Sequence, residues 1–286
     1  MIYFTFAVHN RALHLRANPL ESAAMTARID KTFSERKTKG GAVFVAYMMG
    51  GDPDRAASQK LLNAMPEAGV DIIELGIPFT DPMADGPVIE EAGIRAREAG
   101  MTLGGILDMA REFRKTNNTT PIIVMGYCNP IHHMGYGAFA KAAKDAGVDG
   151  AIIVDLPPEE DTELRAAFAV HDLALIRLAT PTTDAARLPK VVEGTKGFVY
   201  YVSMTGITGA SFAQAKSVKA QVKTIHAASG LPVVVGFGVK TPERAKDVAK
   251  DADGVVVGTA IVKSLHEDGL DKTLALIKSL SDAAHG

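Results

Sequence analysis

The chain has 286 residues, 31 Lys and Arg against 33 Asp and Glu, and 47% apolar residues, with a pI near 6.5. These values exclude a disordered polyelectrolyte and give a nucleic-acid-binding surface no global electrostatic support. A single cysteine, Cys128, excludes an internal disulfide and points to a cytoplasmic setting, and no apolar run approaches the ~20 residues of a spanning helix.

The chain opens on the apolar stretch 1–8, and its first basic residues, Arg11 and Arg16, follow that stretch. A signal peptide has the opposite order. The lack of acidic residues before Glu21 leaves a transit peptide open, beside the plainer reading of a start placed ahead of Met25. Residues 1–24 are therefore read as an extension outside the fold, and residues 25–286 as one domain. The charged stretch Lys31–Lys39, broken by Glu35, reads as a solvated helix face.

From residue 42 onward one pattern repeats: a short Val- and Ile-rich run, a polar loop, an amphipathic helical stretch. The runs are nearly continuous in apolar character, as in parallel strands buried on both faces. Ala42–Met48 leads to a helix over Pro53–Glu67, with Asp52 as cap and Pro53 at the first position. Asp71–Leu75 leads to a long loop holding Pro78, Pro82 and Pro87, then to an additional helix, Pro87–Glu98, and the main helix Thr102–Lys115. Pro121–Met125 precedes Tyr136–Ala146, and Ala151–Val154 precedes Pro158–Val170. Ala174–Leu178 precedes Thr183–Val192, and Phe198–Val202 precedes Ala213–Ala228. Pro232–Val235 precedes Pro242–Ala249. Gly254–Val257 is followed by a short helix, Thr259–Leu265, and by Leu270–Leu280. Ala68-Gly69-Val70-Asp71 and Ala146-Gly147-Val148-Asp149 each end a helix on a left-handed Gly and start the next strand at once. Eight such units in series predict a single-domain (β/α)8 TIM barrel. A doubly wound open sheet would show an early Gly-x-Gly-x-x-Gly turn, which Gly50-Gly51-Asp52-Pro53 does not match.

In such a barrel the chemistry sits at the C-terminal strand ends. Glu74 shares a strand with Ile72, Ile73 and Leu75, and alternation turns it to the same side as Ile72, into the barrel. Burial there raises a carboxyl pKa and lets it carry a proton at neutral pH. The plainer alternative is a Glu paired with a cation or backbone amides, but no Lys or Arg stands at a neighbouring strand end. Asp85 lies in the proline-stiffened loop, where it is either functional or the N-cap of Pro87–Glu98. Asp81 has a similar turn-forming alternative beside Pro82. The glycines of Gly206-Ile207-Thr208-Gly209, Gly236-Phe237-Gly238 and Gly258-Thr259-Ala260 suggest a phosphate cradle of backbone amides and a helix N-terminus, with a hinged cover. The adjacent pair His132-His133 lacks metal-site spacing, and Cys128 reads as a small buried residue. No strand-end Lys offers a Schiff base and no cluster offers a metal, which leaves carboxylate acid–base chemistry on a phosphorylated small molecule.

The run Glu74-Leu75-Gly76-Ile77-Pro78-Phe79-Thr80-Asp81-Pro82-Met83-Ala84-Asp85-Gly86-Pro87 resembles the signature of the tryptophan synthase α subunit family. Gly51-Asp52-Pro53, Gly206-Ile207-Thr208-Gly209, Gly236-Phe237-Gly238 and Gly258-Thr259 resemble it too, and the likeness runs from about residue 30 to 284. Thr80, Met83 and Thr259 are mild departures from the commoner Ser, Leu and Ser. The resemblance implies reversible retro-aldol cleavage of indole-3-glycerol phosphate to indole and glyceraldehyde 3-phosphate. It makes Glu74 the proton shuttle and Asp85 the contact of the indole nitrogen. Tyr200 becomes an active-site tyrosine, although its residue type alone reads as a core aromatic. Thr208, Gly209, Gly236, Gly238, Gly258 and Thr259 become substrate-binding residues around the phosphate. It further implies an α2β2 complex with a β subunit that holds pyridoxal phosphate, so this chain itself should need no cofactor. A sugar-phosphate isomerase would share the cradle without the strand-2 motif, and a non-catalytic barrel kept to activate a partner would have lost Glu74 or Asp85.

Overall fold

The computed structural model describes residues 27–203, 212–236 and 238–286. The expectations for residues 1–24, Thr208 and Gly209 fall outside these residues.

The strands are β1 (Val43–Met49), β2 (Ile72–Gly76), β3 (Ile122–Gly126), β4 (Gly150–Ile153), β5 (Ala174–Leu175), β6 (Arg177–Ala179), β7 (Val199–Val202), β8 (Val233–Gly236) and β9 (Gly254–Val257). All pairings are parallel, in the order β5-β4-β3-β2-β1-β9-β8-β7-β6. The two ends of that order are halves of one expected strand, interrupted at Ile176. The first half pairs with β4 and the second with β7. The sheet therefore closes as a barrel of eight positions, as expected, with one strand handing its bonds from one neighbour to the other.

Strand alternation divides the core into two layers. Val43, Val45, Ile72, Ile123, Ile152, Ile176, Tyr200, Val234 and Val256 fill the barrel. Phe44, Ala46, Ile73, Leu75, Ile122, Val124 and Val235 face outward under the helices. Both faces are thus apolar and buried, which explains the near-continuous strand runs.

The surrounding helices are α1 (Ala27–Lys39), α2 (Arg55–Ala64), α3 (Pro87–Glu98), α4 (Leu103–Phe113), α5 (Cys128–Met134), α6 (Tyr136–Asp145), α7 (Thr162–Val170), α8 (Leu188–Val192), α9 (Phe212–Ser229), α10 (Pro242–Ala249), α11 (Thr259–Asp268) and α12 (Leu270–His285). Several begin later than the sequence suggests. The cap of α2 is Asp54, whose carboxylate accepts from Ala57 N–H at 2.9 Å. Asp52 instead lies buried and takes two bonds from Arg95, at 2.7 and 3.1 Å. A side chain committed to an ion pair is not available to cap. The stretch before α8 is a threonine turn, in which Thr180 N–H bonds the Thr183 hydroxyl at 3.1 Å.

α1 is more than a solvated face. Ile29 and Phe33 belong to the cluster that fills the barrel, with the Phe33 ring 5.8 Å from Phe198. This helix closes the N-terminal end of the barrel. There the two Gly-Val-Asp turns do a second job. Asp71 N–H donates to Phe44 O while the Asp71 carboxylate accepts from Phe44 N–H at 2.8 Å. Asp149 makes the same reciprocal pair with Ile122, and Asp253 with Val233. Arg28 and Arg114 add bonds to Asp149 at 2.7 and 2.8 Å. Arg36 and His285 add bonds to Asp71, both at 2.7 Å.

Candidate active site

Glu74 sits near the C-terminal end of β2 and opposite Tyr47 in the β1–β2 register. Its side chain is fully buried, and neither carboxyl oxygen has a hydrogen-bond partner among the described residues. Burial alone pushes its pKa up to about 8. The cation or amide partner of the plainer reading is absent among the described residues. A carboxyl in this state carries its proton at pH 7, so it can serve as a general acid and, once ionised, as a general base.

Asp85 lies at the far end of the β2–α3 loop. The N-cap of α3 is Gly86, with no side-chain cap bond, so the capping alternative for Asp85 fails. Its carboxylate turns to Tyr127. Burial raises its pKa, the Tyr127 hydroxyl bond opposes that rise, and the charge of Glu90 adds to it. Tyr127 is buried just beyond β3, its hydroxyl accepts from Ala84 N–H at 3.1 Å, and its ring stacks on Phe79 at 5.2 Å. One tyrosine thus touches both the first and last parts of the loop. Asp81 stays exposed and takes a bond from the Thr80 hydroxyl.

Tyr200, on β7, points into the barrel, and burial together with the Glu74 charge holds its phenol neutral well above the ordinary range. A Cβ at Gly236 would stand 2.3 Å from the Tyr200 hydroxyl, so the glycine ending β8 is the space that the tyrosine occupies. Gly238 has φ +77 with open space beside it, a conformation that favours glycine. Gly258 is the N-cap of α11. Ile261 and Val262 both donate to Gly258 O, so the N–H groups of Thr259 and Ala260 ahead of them have no carbonyl behind them in the helix. They open toward the barrel mouth at the end of β9, a place suited to an anion.

Glu74, Asp85 and Tyr200 are therefore brought into one site, with Gly236, Gly258 and Thr259 at the neighbouring strand ends. Two members were not recognised in the sequence, Tyr127 and Tyr47. Tyr47 is buried at the end of β1, and the groups acting on its phenol are Asp85, Glu74, Tyr127 and Tyr200. Its position was legible, since Val43, Val45 and Tyr47 alternate into the barrel. Elsewhere, Cys128 is half-buried rather than buried, with its Sγ 3.3 Å from the Tyr136 hydroxyl. No metal-holding group of three His, Cys, Asp or Glu occurs among the described residues. A cleft of about 370 Å³ opens between β4 and β6, lined by Arg177, Arg187 and Thr183, and contains neither Glu74 nor Asp85. Among the described residues, no helix is long and apolar enough to cross a membrane.

Residues 33–284 match the family of the tryptophan synthase alpha chain. The tryptophan synthase alpha chain of Phenylobacterium zucineum (strain HLK1) is 53% identical over 263 residues, which are 90% of this chain and 95% of that one. The crystal structure of tryptophan synthase subunit alpha from Legionella pneumophila str. Paris superposes with a TM-score of 0.84 at 41% identity, covering 90% of this chain and 98% of that one. A Mycobacterium tuberculosis tryptophan synthase structure, in an open form with BRD0059 bound, gives 0.83 at 34% identity, covering 91% and 99%.

Proposed function

This chain belongs to the tryptophan synthase alpha chain family, and from that premise we propose how its residues divide the work. The reaction is the lyase step of tryptophan biosynthesis, cleavage of indole-3-glycerol phosphate to indole and glyceraldehyde 3-phosphate. Indole carbon 3 is a poor leaving group until it is protonated. Glu74 gives its proton to that carbon, and positive charge spreads to the indole nitrogen. The carboxylate of Asp85 stabilises that charge through the N–H, more strongly in the transition state than in the ground state. Glu74, now ionised, removes the proton of the side-chain hydroxyl as the C–C bond breaks. The bonding electrons return to the indole ring, the hydroxyl carbon becomes the aldehyde, and Glu74 ends protonated as it began.

The observation that carries this reading is the partnerless carboxyl of Glu74, pushed up to about 8 inside the barrel. The phosphate group is assigned to the amides around Gly238, Gly258 and Thr259, with Gly236 beneath and with Thr208 and Gly209, which follow β7 in the sequence. Tyr200 lines the ring-binding side. The alpha chain implies a β-subunit partner; the assembly is an α2β2 heterotetramer that works in the cytoplasm, and pyridoxal phosphate belongs to the β subunit. Indole production from indole-3-glycerol phosphate by the pure chain, with and without β subunit, tests the reading. Asp85→Asn should lower kcat more than it raises KM; a rise in KM alone would reduce Asp85 to a binding residue.

A further inference from the structure

Tyr47 is a buried titratable group that the mechanism above does not use. Among the described residues its hydroxyl has one hydrogen-bond partner, the thioether of Met49 at 4.0 Å, and sulfur is a weak acceptor. Two glycines are shaped around it. A Cβ at Gly76 would stand 2.3 Å from the Tyr47 hydroxyl, and one at Gly258 would meet Tyr47 Cβ at 3.2 Å. The phenol is thus held over the ends of β2 and β9 by backbone on two sides. In the β1–β2 register Tyr47 stands beside Glu74.

The cycle creates a demand at this spot. When Glu74 has given up its proton, two carboxylates are ionised together in a buried pocket, and like charges there oppose one another. The groups facing the phenol are Asp85 from the β2–α3 loop, Glu74 from β2, Tyr127 from beyond β3 and Tyr200 from β7; Glu90 acts on Asp85 from α3. None of these is a cation. A phenol that stays neutral supplies a hydrogen bond to a carboxylate without adding charge.

We propose that Tyr47 is a positioning residue that donates its hydroxyl hydrogen bond to Glu74 whenever Glu74 is ionised, leaving Met49 to do so. The proposal rests on Glu74 being the proton carrier. In the resting, protonated state the bond is not needed, which fits the two partnerless oxygens of Glu74.

Tyr47→Phe keeps the ring and removes only the donor. In the assay for indole release it should lower kcat about tenfold while KM stays within about twofold, since a hydrogen bond to a charged group is worth about one pKa unit or more. The alkaline limb of kcat, set by Glu74 in the bound complex, should move up by about one pH unit. An unchanged kcat overturns the proposal, and so does a lower kcat with an unmoved limb, which is what lost packing alone produces. If the variant folds poorly, ring-labelled tyrosine in the wild-type chain supplies the reading. The Tyr47 Cζ resonance should follow a step between pH 6 and 10 that vanishes in Glu74→Gln, and a flat resonance across that range overturns the proposal. An active Glu74→Gln would instead defeat the underlying assignment of Glu74, so the two failures are separable.

Discussion

The two ends of the barrel treat carboxylates in opposite ways. At the N-terminal end Asp71, Asp149 and Asp253 are each tied to a backbone N–H of the neighbouring strand. Asp71 and Asp149 also hold cationic or imidazole side chains. Burial would raise Asp71, but His285, the Phe44 N–H and Arg36 outweigh it and bring its pKa below the ordinary value. At the C-terminal end Glu74 is buried with no partner among the described residues, and its pKa rises to about 8. The same chemical group is thus a fastener at one end and, under the mechanism proposed above, a proton store at the other. The difference lies in which donors the surrounding strands and helices supply. Asp71 and Asp149 are satisfied by their donors, Asp85 keeps the Tyr127 hydroxyl, and Glu74 is left in want of a partner at a cost to the fold.

The sharpest test exchanges Glu74 for Gln. Volume and burial are kept and the transferable proton is lost, so turnover should fall by about 10²–10⁴-fold or more with the circular dichroism spectrum unchanged. Near-normal kcat would erase the distinction between the two ends. The converse substitution, Asp149→Ala, should leave kcat at 25 °C nearly intact and cost about 3–5 kcal/mol, because Arg114 is left buried without its charge partner. Thermal melts should show a fall of about 10 °C, at roughly 2–4 °C per kcal/mol for a domain of this size.

A third test uses pH. For Glu74 the folded value lies above the unfolded one, so its favourable contribution is complete below the unfolded pKa and is lost as pH rises from about 4.5 to about 8. For Asp71 the folded value is depressed, so its contribution is present above the unfolded value and lost as pH falls through the folded one. The stability of Glu74→Gln relative to wild type should therefore grow between pH 5 and 8, by on the order of 3 kcal/mol at pH 7. Parallel melting curves for the two proteins across that window would refute the raised value. The smallest effect is expected from removing residues 1–24. A chain starting at Met25 keeps α1 with Arg28 and Arg36, and should match the full chain in both kcat and melting temperature. A large drop in melting temperature would show that the extension belongs to the closed end.

Much of this comparison was legible in advance, and the reasons are local. Strand runs buried on both faces announce themselves by composition, so every sheet position was found. Glu74 was visible because a charge inside such a run violates its surroundings. The double duty of Asp71 and Asp149 was not visible, because their partners Arg36, His285, Arg28 and Arg114 lie far along the chain. The capping role expected of Asp52 failed for the same reason, since Arg95 is 43 residues away. The break at Ile176 depends on how closure distributes bonds between two neighbours, which no run of residues encodes. Tyr47 and Tyr127 were passed over because a tyrosine at a strand end fits an apolar core equally well, and only its charged neighbours mark it out.

The placing of β9 beside β1 bears on how the barrel comes into being. Among the described strands β1 is the first synthesised and β9 the last, so the β1 edge of the growing sheet stays unpaired until β9 has been made. His285, which fastens Asp71, and Ala284, whose carbonyl receives Ala42 N–H, come later still. A sheet lacking the β1–β9 pairing would expose β1 as an apolar edge strand, the kind of edge most prone to pairing with a neighbour. The β1–β9 ladder is what covers that edge, and the last turn of α12 fastens it through Ala284 and His285.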